Sequence, residues 1–191
     1  MKHSSWIILG ALVLAGGVSF LWSMSDRDTG EDTAPIEQGR KADYVKVTDD
    51  LGRQVRLRPP VTQIVSCYSA FTVMLEQLDA DEYLSGATHR QAKRLGIASI
   101  GNHLKPDVEA ILAARPELVI LSSNRRQVVE ALEGHLKPAG IKVLALHPET
   151  VDATMKRFSE LGRIIGKSEL AERLLVEARA KLTRVRKKLA D

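Results

Sequence analysis

Polar and apolar positions divide the chain into three textures. The first has no charged residue from Ser4 to Ser25, with an apolar run from Trp6 to Met24. Lys2 and His3 precede it, and Asp26, Asp28, Glu31 and Asp32 follow. Positive before and acidic after predicts a cytoplasmic N-terminus and export of the rest. The run is long for a cleaved signal and just long enough to span a bilayer. No small-x-small cleavage pattern stands out, so residues 1–25 are expected to be a signal peptide or an uncleaved membrane anchor. "LAGG" at 14–17 resembles a lipoprotein box, but Gly17 stands where the acylated cysteine belongs. The second texture, "DRDTGEDTAPIEQGRKA" at 26–42, is polar and poor in apolar residues, which predicts a flexible linker.

The third texture begins with "DYVKVTDDLGRQVRL", two alternating runs around Asp49-Asp50-Leu51-Gly52, a β-hairpin signal. After Pro59-Pro60, strand and helix patterns alternate. The predicted strands are 63–66, 83–87, 117–121 and 141–146, and the predicted helices lie near 70–79, 106–115, 127–138 and 151–165. In the helix at 106–115, Pro106 suits the first turn and Asp107 complements the dipole. Val108, Ile111 and Leu112 form its apolar stripe, and Pro116 stops it. From Ser168, Leu170, Leu174, Leu175, Ala178, Leu182, Val185 and Leu189 recur at spacings of three and four, a helix of roughly 30 Å. The fold class is therefore α/β: a single three-layer lobe with a mostly parallel sheet, an N-terminal β-hairpin and a long C-terminal helix. Its divisions are an N-terminal lobe at 43–166 and the long helix at 167–191.

In such a sheet the carboxyl ends of the strands share one edge, where ligands bind. Those ends carry Tyr68-Ser69, Thr88-His89-Arg90, Ser122-Ser123-Asn124-Arg125-Arg126 and His147-Pro148-Glu149. Arginine and asparagine donors suit carboxylate, catecholate or hydroxamate oxygens. Capture of a bare metal by His89, His103 and His147 has no short ligand spacing behind it.

Composition narrows the classes. With 44% apolar and 27% charged residues the chain can build a core, and its net charge of +4 is modest. Aromatics are only 4%, so no basic face with interleaved aromatics points to nucleic acid. The single cysteine, Cys67, forbids an internal disulfide and reads as a buried hydrophobe at a strand end, with a catalytic thiol the lesser alternative. Gly-x-Ser-x-Gly is absent, and no acid partner is assignable to Ser66, Ser69 or Ser122, so no catalytic residue and no cofactor are expected.

Taken in order, "VTDDLGRQVRL", "QIVSCYSA", "IGNHLKPDVEAILAARPELVILSS", "GIKVLAL" and "LGRIIGKSELAERL" resemble the periplasmic-binding family for cobalamin and ferric siderophores, the substrate-binding components of ABC importers. The likeness runs from about residue 44 to 191. It implies two lobes joined by a long rigid helix, of which this chain supplies the first lobe and the helix. It also implies a periplasmic location, an ABC permease subunit as partner, and a ferric chelate (siderophore, haem or cobalamin) as ligand, with ferric siderophore foremost. On the likeness, His103, Ser122 and Ser123 fall where relatives contact ligand, and Tyr68, Ser69, His89, Arg90, Asn124 and Arg125 complete the candidate site. Glu109 falls where relatives meet arginines on the permease. The chain departs from the pattern at Thr72, where relatives often carry a glutamate, and lacks the tyrosine some haem-binding members place after the second strand. The alternative function is a membrane-tethered interaction lobe that docks to a permease or a partner chain without holding ligand.

Overall fold

The computed structural model describes residues 44–190; the expected signal or anchor and the linker lie outside them. Among the described residues no helix is long and apolar enough to cross a membrane.

The hairpin pairs β1 (Val45–Thr48) with β2 (Gln54–Leu57) in antiparallel register, Val47 opposite Val55. Its inward residues Val47, Val55 and Leu57 are buried. The turn is built by Asp49, whose carboxylate accepts the N–H groups of Leu51 and Arg53 at 3.0 and 2.9 Å, and by Gly52 at φ +78°.

Five parallel strands follow: β3 (Ile64–Ser66), β4 (Leu84–Ala87), β5 (Ala98–Ser99), β8 (Leu118–Ser122) and β9 (Lys142–Leu146), in the order β5-β4-β3-β8-β9. Alternate residues feed two cores. Ile64, Leu118, Ile120, Leu144 and Leu146 face α1 (Ser69–Gln77), α5 (Val151–Ile164) and the hairpin. Val65, Val119, Leu121, Val143 and Ala145 face α3 (Val108–Ala113) and α4 (Arg126–Leu136). Burial on both faces is why these strands read as unbroken apolar runs. The three-layer lobe expected from the alternation is the one found.

Three elements differ from expectation. Helix α2 (His89–Leu95) begins directly after β4, at residues predicted only as a strand exit. "HRQAKRL" gives it too little apolar periodicity to be seen; it ends on Gly96 at φ +69°. Strand β5 is two exposed residues held by pairing with Gly86 and Ala87. Finally, Pro106 is not helical: β6 (Gly101–Asn102) pairs antiparallel with β7 (Lys105–Pro106). Helix α3 starts afterwards, with Asp107 as N-cap accepting the Ala110 N–H at 3.0 Å. Ile111 is its buried residue, whereas Leu112 is exposed. The stop at Pro116 is as expected, reached through Arg115 at φ +47°.

Helix α5 is capped by Thr150, which accepts the Ala153 N–H at 3.1 Å, and ends at Gly166 with φ +75°. Helix α6 (Ser168–Ala190) then turns back along it. The two come so close that a Cβ on Gly162 would lie 2.5 Å from that of Ala171. Arg157 of α5 is buried and ties the hairpin down: it donates to Thr48 O at 2.9 Å, to Glu160 at 2.6 Å and to Asp50. Burial by itself would lower its pKa, but the hydrogen bonds to Glu160 and Asp50 outweigh that and hold it above the ordinary value. The hairpin turn also covers the β9 edge, where the Asp50 N–H donates to Ala145 O at 2.9 Å.

Candidate functional site at the carboxyl edge of the sheet

The rim divides into two halves. On the first, β3 continues through Cys67, whose N–H donates to Ile120 O at 2.8 Å, to Tyr68, the N-cap of α1. A buried chain fixes that corner: Thr72 Oγ1 donates to Ser66 Oγ at 2.9 Å, and Ser66 Oγ donates to Tyr68 O at 3.0 Å. Thr72 thus faces the core and takes no part in the rim.

Next to it, Thr88 follows β4 as the N-cap of α2, which His89 and Arg90 open. His89 Nδ1 lies 3.4 Å from Ser99 Oγ. The β6–β7 turn supplies His103. Gly101 takes φ +79°, with a Cβ there lying 3.3 Å from Lys105 O, and Asn102 Oδ1 accepts the N–H groups of Leu104 and Lys105 at 2.8 and 3.0 Å. That tight turn holds His103 edge-on to the Tyr68 ring, centroids 5.9 Å apart, while Tyr68 packs on Phe71 at 5.7 Å.

These residues enclose a cavity of about 420 Å³, lined by Tyr68, Ser69, Thr88, His89, Arg90 and His103 with Ala70 and the Gly101-Asn102 turn. Its lining holds an arginine and two histidines and no carboxylate. Five of the expected ligand residues come together here. Asn102 and Thr88 join them; the Gly-Asn turn is the signal that could have found the first, and the second is one of the strand-end residues the pattern placed on this edge.

On the other half, Ser122, Ser123, Asn124 and Arg125 do not line this cavity. The register places Ser66 opposite Ile120, so Tyr68 and Ser122 leave the sheet level with each other on adjacent strands. Yet Ser122 Oγ donates to Asn124 Oδ1 at 3.0 Å and stands 3.3 Å from His147 Nδ1, and the His147 N–H donates to Asp50. The Ser123 N–H donates to Leu146 O at 3.2 Å. Arg125 is exposed at the start of α4.

Glu109 lies in the first turn of α3 and is exposed. Among the described residues no group of three or more His, Cys, Asp or Glu side chains is placed to hold a metal ion. Cys67 is buried, and burial pushes its thiol up to about 12, far from a thiolate nucleophile. A larger cavity, about 570 Å³, shares none of the candidate residues.

A family model described as periplasmic binding protein matches residues 64–191. No curated sequence matches the chain significantly. The iron uptake ABC transporter substrate-binding protein PiuA from Streptococcus pneumoniae superposes with TM-score 0.64 at 20% identity, over 75% of this chain and 52% of its own. The petrobactin-binding protein YclQ from Bacillus subtilis does so with TM-score 0.63 at 16% identity, over 76% and 53%. A periplasmic heme binding protein from Pseudomonas aeruginosa gives 0.56 at 25% identity, over 65% and 45%. The chain spans about half the length of the solved structures it matches.

Proposed function

The chain belongs to the periplasmic binding protein family, and from that premise we propose that it is an exported solute-binding lobe serving an ABC importer, with a ferric siderophore or a related anionic iron chelate as its ligand. The observation that carries this reading is the cavity at Tyr68, His89, Arg90 and His103, which presents cationic and donor groups and no carboxylate. Such a lining favours the oxygen-rich, negatively charged surface of a ferric chelate. The solved structures named for iron uptake, petrobactin and heme binding support the same class of solute. Haem has a candidate axial ligand in His89 or His103, but Tyr68 is the only aromatic wall, which favours the siderophore. Ser122, Ser123, Asn124 and Arg125 form the far lip of the ligand in this reading. Exposed Glu109 on α3 is the contact for an arginine of the permease; an exposed pair of this kind is worth about 1 kcal/mol or less and sets registry. The divisions at 43–166 and 167–191 correspond to the first lobe and the connecting helix, with residues 1–25 as signal or anchor.

Titration calorimetry with catecholate and hydroxamate ferric siderophores, haem and cobalamin tests the assignment. A ferric siderophore is expected to give the tightest binding, lost in Arg90→Ala; silence from all four ligands ends the proposal. Glu109→Lys is expected to weaken capture by permease vesicles while leaving ligand binding intact.

A further inference from the structure

Tyr68 and Ser69 stand at the start of α1, and His89 and Arg90 open α2, so the open half of the rim has one wall on each helix. The two walls are not equally anchored. Helix α1 buries Phe71, Thr72 and Leu75, and the Thr72–Ser66 bond fixes its start. Helix α2 buries only Gln91 and Ala92, with Leu95 packed on the core in its last turn. The sheet register sets Ser66 beside Ala87, so the two helices start level, but it does not set how far apart they stand.

The contact that spans them lies at their other ends. Arg94, in the last turn of α2, meets Glu76, in the last turn of α1, at two parallel points: Nη1 to Oε1 at 2.7 Å and Nη2 to Oε2 at 2.8 Å. A second edge of the guanidinium is held as well, since Nε and Nη2 donate to Gln91 Oε1 at 3.0 and 2.8 Å. Gln91 is 8% exposed, so its amide is a fixed point. A planar guanidinium gripped on two edges has one position, which a lysine ammonium cannot reproduce. The same contact settles a conflict of charge. Arg90 and Arg94 stand four apart on α2, a spacing at which like charges repel. Glu76 offsets the charge of Arg94 and leaves Arg90 as the arginine of the cavity lining.

We propose that Arg94 is a positioning residue: its hold on Glu76 and Gln91 fixes the spacing between the Tyr68–Ser69 wall and the His89–Arg90 wall, and so decides which ferric chelate fits between them. This role rests on the cavity being the chelate site; Arg94 itself does not line it. The Arg94 side chain is 51% exposed, and an exposed pair adds little to stability. Its loss therefore appears in geometry and selectivity, not in the melt.

Spin labels on the full-length chain at Val73→Cys in α1 and Lys93→Cys in α2, both exposed, read the helix spacing with no ligand present; Cys67 is buried and stays unlabelled. Dipolar EPR is expected to show one narrow distance distribution, and a longer and broader one once Arg94→Lys or Glu76→Gln is added. Calorimetry then compares a catecholate with a hydroxamate ferric siderophore. Arg94→Lys keeps the charge, yet it is expected to weaken the tighter of the two roughly tenfold, the worth of one charged hydrogen bond, and to narrow its lead over the other. The thermal melt is expected to stay unchanged. Unaltered label distances in both variants overturn the proposal, whatever the chelates do. So do altered distances with an unchanged preference, or a melt that falls in step with binding. Silence from both chelates on the native chain instead ends the reading of the cavity as their site, and with it the part of Arg94 in choosing between them.

Discussion

The two halves of the sheet's carboxyl edge are made from similar residues and differ in what those residues already hold. On the β3–β4 half, Tyr68, His89, Arg90 and His103 surround an open cavity. On the β8–β9 half, the Ser122 hydroxyl is bonded to Asn124, the His147 backbone N–H to Asp50, and Asp50 in turn to Arg157. The difference comes from the hairpin, which docks on the edge strand β9 and brings its turn carboxylates to that half alone. A polar group that already has a partner gains little from a ligand, whereas one facing an open cavity gains a full bond. On the proposed reading, recognition is therefore concentrated on the first half, and rigidity on the second.

The largest effect is expected from breaking the second half. The Arg157 side chain is 7% exposed and holds Thr48, Glu160 and Asp50 together. Arg157→Met leaves Asp50 and Glu160 without their cation; both carboxylates keep contact with water, so the loss falls below that of a fully buried pair, at about 2–3 kcal/mol. Urea unfolding measures that loss, and amide exchange at Asp50 and His147 is expected to accelerate with it. Ligand affinity in the β3–β4 cavity is expected to change little. A large fall there would show that the two halves are one site.

Next in size is Arg90→Ala. The residue is exposed at the start of α2, so stability is expected to move by less than about 0.5 kcal/mol. Loss of a charged hydrogen bond to the chelate is expected to weaken binding by roughly 10–100-fold, read by calorimetry. Asn124→Ala is the matched substitution on the other half. It frees Ser122 from its partner and is expected to cost about 1 kcal/mol of stability, with binding weakened by less than in Arg90→Ala. Equal binding losses from Arg90→Ala and Asn124→Ala would erase the contrast between the halves.

Much of the frame is legible in the amino-acid sequence alone. Apolar runs bounded by proline, glycine and polar clusters mark β3, β4, β8 and β9, because strands covered on both faces need no alternation. The three-and-four spacing from Leu170 onward marks α6. The strand ends then bring Tyr68, His89 and Arg90 toward one edge, and the family likeness adds His103. What stays hidden depends on contacts distant in sequence. The pattern marks Asp49 and Asp50 as turn residues, but not that Asp50 reaches His147 and Arg157 about a hundred positions on. That reach is what separates Asn124 and Ser122 from the open cavity. Helix α2 and strand β5 are too short and too polar to carry a period, and tertiary pairing alone holds them.

The smallest effect tests whether the border between the halves is fixed. Cys67 sits on it, one residue before Tyr68, with its N–H bonded to Ile120 across to β8. Burial raises its thiol to about 12, so in the folded chain it stays protonated as pH rises past the range where an exposed cysteine ionises. The sign follows: below the unfolded value the two states bind the same proton and nothing is gained or lost, and above it the folded state alone retains the proton, so stability declines as pH climbs toward 12. At a pH of about 8, just below the ordinary cysteine value, iodoacetamide is expected to leave Cys67 unlabelled in the folded chain and to label it fully in urea, as mass spectrometry can follow. Rapid native labelling would mean that β3 and β8 separate there, and that the partition of the edge into an open half and a bonded half is a momentary arrangement. Protection that persists in Arg157→Met would show the opposite: the border holds even when the hairpin's anchor is gone, and the open cavity owes its shape to the sheet itself.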